Sequence, residues 1–152
     1  MNPVGAGLPP IKVLSVEDIS QLPMSLIREQ EYFTLLLAWD SPTVDTPQIR
    51  DVFHALVDGG LAYFCAWGRK CEAAHDAVDA ACLDLGIGLG DEDHLCVTTW
   101  HGDESLDEAF WFFSNLALPS EPDVFSDFER FAVAIGNQNW MHKMQELNEL
   151  NS

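Results

Sequence analysis

Positive charge is what this chain has least of: 7 Lys and Arg stand against 25 Asp and Glu in 152 residues, a formal net charge of −18 at pH 7. A field of that sign repels phosphate backbones and anionic lipid, which argues against direct nucleic-acid binding and against a membrane-surface role. Long apolar runs are missing too. None approaches the roughly 18 residues needed to cross a bilayer, and the opening MNPVGAGLPP lacks the basic start and apolar centre of a secretory signal. A cytoplasmic protein is expected. The four cysteines, Cys65, Cys71, Cys82 and Cys96, form no Cys-x-x-Cys pair and sit in apolar surroundings, so reduced thiols and no disulfides are expected.

Cofactor signatures are absent as well. Neither G-x-G-x-x-G nor G-x-x-x-x-G-K-[ST] occurs, and the lone Gly68-Arg69-Lys70 triplet is no phosphate cradle; Arg69 and Lys70 are expected to pair with surrounding acids. Cys71 and His75 are four apart, a spacing that can reach one ion, but both fall on the stripe that a helix would turn toward a sheet. No metal and no cofactor are therefore expected.

What the chain does have is one pattern repeated four times: a short apolar run, a turn, and a helical period. EYFTLLLAWD precedes TPQIRDVFHALVDGG, where Thr46 can cap, Pro47 suits the first helical position, and Ile49, Val52, Phe53, Leu56 and Val57 recur at helical spacing. Leu61 to Trp67 is apolar on both alternating faces, as an interior parallel strand requires. The helix after it carries Cys71, Ala74, His75, Val78, Ala81, Cys82 and Leu85 on one stripe, with Glu72, Asp76 and Asp79 facing away. Leu95 to Trp100 reads as a third strand, and Ser105-x-x-Glu108 is a capping box opening a third helix. RFAVAIGNQNW and MHKMQELNEL supply the last pair, and IKVLSV at 11–16 a further edge strand. Such alternation specifies an α/β fold, a three-layer α/β/α sandwich with a mainly parallel sheet of four to five strands. One domain over 1–152 is expected, with flexible ends at 1–10 and 147–152.

Ligands of open parallel sheets bind beyond the carboxyl ends of the strands. The runs here end in Trp39-Asp40, Trp67-Gly68 and Trp100-His101, and the last leads into Gly136-Asn137. Asp40, Trp67, Arg69, Trp100, His101, Asp103 and Asn137 are thus the candidate ligand-binding residues. No catalytic residue can be assigned. In the helix SLDEAFWFFSNLAL, Leu106, Ala109, Phe110, Phe113 and Leu116 share one stripe, while Trp111 and Phe112 project about 100° and 200° away from Phe110. Trp111 and Phe112 are therefore the candidate interface of a homodimer, unless the following segment, with Val124, Phe125 and Phe128, folds over them.

The phrases AYFCAWG, CEAAHDAVD and TTWHGDESLDEAFWFF resemble a family of small acidic bacterial proteins of unknown function, over roughly residues 30–140. The Cys-Ala-Trp-Gly and Thr-Trp-His segments are its most specific part. The resemblance implies a bacterial, cytoplasmic, single-domain α/β protein and supplies no activity.

Charge and missing motifs favour an acidic interaction or regulatory protein, of the immunity or inhibitory type, that docks a basic protein surface. Residues 71–129 hold 15 Asp and Glu and no Lys or Arg. Two alternatives stand beside it: a small-molecule-binding or catalytic α/β domain with its site at the strand carboxyl ends, and a nucleic-acid mimic.

Overall fold

The computed structural model describes residues 8–22, 32–40, 46–86, 96–119 and 128–150. Within them run β1 (Ile11–Val16), a 3₁₀ turn (Ile19–Gln21), β2 (Tyr32–Trp39), α1 (Pro47–Asp58), β3 (Leu61–Gly68), α2 (Cys71–Asp84), β4 (Val97–Trp100), α3 (Leu106–Leu116), β5 (Phe128–Ile135) and α4 (Gln138–Leu150). The five strands form one sheet in the order β1-β5-β2-β3-β4, every pairing parallel. The expected α/β sandwich is the fold that forms.

The three layers follow from the period-two alternation of the strands. Phe33, Leu35, Leu37 and Trp39 of β2 point to the face covered by Ile49, Val52 and Phe53 of α1 and by Ala74 and Val78 of α2. Leu36 and Ala38 point to the other, under Phe110 and Phe113 of α3 and Met144 of α4. Both faces of β2 are buried, hence its apolar run, broken within Phe33–Trp39 by the buried Thr34 alone.

Helix starts obey the local chemistry. Thr46 Oγ1 accepts from Ile49 N with Pro47 in the first turn, and Ser105 and Glu108 close a reciprocal capping box at 3.1 and 2.9 Å. The turn from β3 into α2 is tighter. Gly68 has φ +102°, and a Cβ there would meet the Trp39 carbonyl oxygen at 2.5 Å, so only glycine fits.

Several expectations are corrected. Asp79 does not face away: it accepts a 2.6 Å hydrogen bond from Thr98 and lies 3.4 Å from His75 Nε2, because β4 runs directly under α2. Leu85 is exposed rather than buried, lying past the end of α2. Neither Arg69 nor Lys70 makes an ion pair with a described residue. Near the end of α4, Leu147 packs on the core and Asn148 donates to the Ile11 carbonyl at 3.0 Å. β4 starts at Val97; Leu95, the Gly-rich acidic stretch at 87–94, and Val124 and Phe125 lie outside the described residues.

Candidate functional site

Connections decide where a parallel sheet opens. β2 leads to α1 on one face, β5 leads to α4 on the other, and β2 and β5 are neighbours. Their carboxyl ends therefore diverge at a switch in strand order, where crevices form in open α/β sheets.

The backbone on this edge is stitched beyond the strands themselves. Asp40 N donates to Ile135 O at 3.1 Å, Gly136 N to Val16 O at 3.0 Å, Arg69 N to Trp39 O at 2.9 Å and His101 N to Ala66 O at 2.9 Å. Side chains add one more tie, from Asn137 Nδ2 to Asp40 Oδ2 at 3.0 Å, while Asn137 Oδ1 caps α4 by accepting from Trp140 N.

A cavity of about 410 Å³ lies at the carboxyl ends of β1, β5 and β2. Its apolar lining is Ile19, Trp39, Ile49 and Ile135; Glu17, Asp18, Ser20, Thr46 and Gln48 supply polar groups. Asp18 and Thr46 are engaged, capping the 3₁₀ turn and α1 respectively. Glu17, Ser20 and Gln48 present exposed side chains at the mouth. The indole Nε1 of Trp39, a residue only 1% exposed, has no hydrogen-bond partner among the described residues.

The seven residues singled out from the sequence divide into separate groups. Asp40 and Asn137 meet, as described. Trp67, on the α3–α4 face, packs edge-on against Trp140 at 4.7 Å and donates from Nε1 to the Glu104 carbonyl at 2.8 Å. Trp100 is on the opposite face, 46% exposed and 4.5 Å from the His75 ring. Arg69 and Asp103 are exposed in their turns. His101 is 4% exposed, with Nε2 2.9 Å from Thr99 Oγ1, Nδ1 2.9 Å from Glu104 Oε2, and its ring 4.7 Å from Phe112.

Thr99, His101 and Glu104 thus form a hydroxyl–imidazole–carboxylate chain, the arrangement that activates nucleophiles. Both ring nitrogens already have protein partners, and Thr99 is further hydrogen-bonded to Cys65, whose thiol burial pushes up to about 12. The chain is a satisfied packing network that braces β4 on α3. Cys71, at the start of α2, is pushed up by burial as well, against backbone hydrogen bonds that lower it.

Phe112 is half-buried against His101 and Tyr63, whereas Trp111 is 56% exposed. A second groove, about 480 Å³, runs between α1 and α2 past Arg50, His54, Asp76 and Asp84. No set of three metal-ligating side chains gathers among the described residues, nor is any described helix long and apolar enough to cross a membrane.

Sequence reasoning missed the cavity lining. Trp39 and Asp40 were legible as a strand end, but Glu17 and Ser20 come from the connection after β1 and Gln48 from the first turn of α1, which only the strand order brings together. The available signals were the Asp18-x-x-Gln21 and Thr46-Pro47 helix starts, both on the carboxyl side of a strand.

No curated protein matches the chain. Residues 11–150, which take in the five strands and four helices of the described residues, match the model of a domain of unknown function (DUF7684), and the chain belongs to that family.

Proposed function

We propose that this protein is a small-molecule-binding α/β domain whose ligand enters the cleft at the carboxyl ends of β1, β5 and β2. The observation that carries the reading is the cavity of about 410 Å³ at that edge, beside the switch between β2 and β5. Its size falls in the range of metabolite sites, and its mix of an apolar floor with a few polar groups at the mouth matches their usual make-up. The lining favours a small polar molecule with a cationic or donor-rich end toward Glu17 and Asp18. An acceptor lodged against Trp39 would satisfy an indole N–H that is otherwise buried without a partner.

Thermal-shift and calorimetric titration against a panel of cationic, neutral and anionic metabolites tests this. A cationic or neutral polar compound should stabilise the wild type and fail to stabilise Ser20→Trp, which fills the mouth from an exposed position. A panel without effect on the wild type, or an effect unchanged in Ser20→Trp, sinks the reading.

A second reading, docking of a basic protein surface, is favoured by the charge pattern. α2 exposes Glu72, Asp76 and Asp84 and α3 exposes Asp107 and Glu108, within a stretch that contains no Lys or Arg from 71 to 129. In a bacterial cytoplasm that field would steer cationic partners. Association with such a partner should slow steeply between low and physiological salt, since screening acts over about 10 Å at 0.1 M. A salt-independent association rate removes charge from the mechanism.

A further inference from the structure

Two of the four cysteines, 14 positions apart in sequence, are brought together by the packing of α2 on β4. Thr98 of β4 donates to Asp79 of α2 at 2.6 Å, which fixes the register of helix over strand. α2 connects β3 to β4, which pair in parallel, so α2 runs antiparallel to β4. Two residues before Thr98, immediately ahead of β4, is Cys96, about 6.8 Å away by strand spacing and packed on the same face. Three residues forward along the helix from Asp79 is Cys82, about 4.5 Å along the axis on the same side. The register thus places Cys96 against Cys82. Their thiols are hydrogen-bonded to each other; Cys82 lies in the core cluster on the α1–α2 face and Cys96, partly buried, packs against that cluster.

The other two cysteines stand apart. Cys65 is fully buried on the opposite face, bonded to Thr99, and Cys71 sits at the far end of α2, its Sγ facing Gly102.

We propose that Cys82 and Cys96 are a peroxide-reactive dithiol that closes to an intramolecular disulfide, clamping the end of α2 to the entry of β4. Cys82 is the attacking group. The S–H of Cys96 donates toward it and holds its thiol below the usual range, against burial and the Asp79 carboxylate, which raise it. Cys96, donating that hydrogen bond and desolvated, is held as the thiol. Cys82 itself is buried, and the way in for a molecule as small as hydrogen peroxide is past Cys96, which is partly exposed beside it.

The step balances with hydroperoxide as oxidant. The Cys82 thiolate attacks one peroxide oxygen, an S–O bond forms as the O–O bond breaks, and the departing hydroxide takes a proton to leave as water. Cys96 sulfur then attacks the resulting sulfenic sulfur. The S–S bond forms, the S–O bond breaks, and hydroxide leaves with the Cys96 proton as a second water. Two thiols are oxidised and one hydroperoxide is reduced.

The experiment treats the full chain with hydrogen peroxide, quenches with an alkylating agent, and maps the peptides by mass spectrometry without reductant. The expected product is a chain lighter by two hydrogens, with the peptides containing Cys82 and Cys96 joined and Cys65 and Cys71 still alkylatable after unfolding. Dithiothreitol should restore the original mass. In C96S, whose serine keeps the size and a hydrogen-bonding hydroxyl, peroxide should leave a dimedone-reactive sulfenic acid on Cys82. Oxygen addition without the two-hydrogen loss in the wild type, a crosslink through Cys65 or Cys71, or no reaction within hours at millimolar peroxide overturns the proposal. The readout is a mass on the wild type, so it does not depend on the variant folding, nor on the cleft binding a ligand.

Discussion

Asn137 joins two strands and a helix through one side chain: its Nδ2 donates to Asp40 Oδ2 at 3.0 Å, while its Oδ1 accepts from Trp140 N in the first turn of α4. The pair spans 97 positions of sequence and lies at the crevice between β2 and β5. Its two jobs can be separated. Asn137→Ala loses both and should cost about 1–2 kcal/mol. Asn137→Asp keeps the cap but sets two carboxylates face to face. Its deficit should shrink on acidification, because one shared proton restores the hydrogen bond. Chemical denaturation of both variants at neutral and acidic pH checks this.

Gly68→Ala should destabilise by about 2 kcal/mol or more, since the left-handed backbone and the close Trp39 carbonyl act together. Gly86, also at positive φ but with open space around it, should lose less on the same substitution. The contrast, read by melting temperature, isolates the clash from the backbone preference.

Arg130 is a buried cation without an ion pair to any described residue. Its guanidinium donates to the carbonyls of Pro9 and Ser114 and lies over the Phe113 ring, and desolvation pulls it down to about 10. It ties the end of α3 to the segment before β1. Arg130→Ala should cost about 2–4 kcal/mol, and Arg130→Met less, because methionine fills the space without the desolvation burden.

Stability should fall at alkaline pH. The Cys65 thiol, raised by burial to about 12 from 9.0, binds its proton more tightly folded than unfolded, and Tyr63 and Cys71 are shifted the same way by burial. Their stabilising effect is complete below about pH 9 and is lost as pH rises toward 12. Cys65→Ala should flatten that limb in a denaturant series; an equally steep limb would mean that other groups set it.

Trp111 is exposed on α3 while its neighbours Phe110 and Phe113 are buried and Phe112 is half-buried. If a homodimer forms through this helix, Trp111 is its centre. Trp111→Glu should then convert a sedimenting dimer into a folded monomer, and a wild type monomeric at high micromolar concentration ends the idea.

Elements were legible in the sequence wherever local chemistry decides them. The apolar runs of β2, β3 and β5, the Thr46 cap and the Ser105–Glu108 box depend on neighbours a few residues away, and all appear as expected. Their alternation also determined the parallel sheet, because a strand followed by a covering helix returns in the same direction. Strand order was not legible, since β5 could enter at either edge without changing any local pattern. Only the tertiary packing inserts it between β1 and β2, placing Asn137 on Asp40 and drawing Glu17, Trp39 and Gln48 around one cavity. The same holds for Cys82 and Cys96. Nothing in a spacing of 14 marks a pair, and their contact exists because α2 packs back over β4 in one register, set by Thr98 on Asp79.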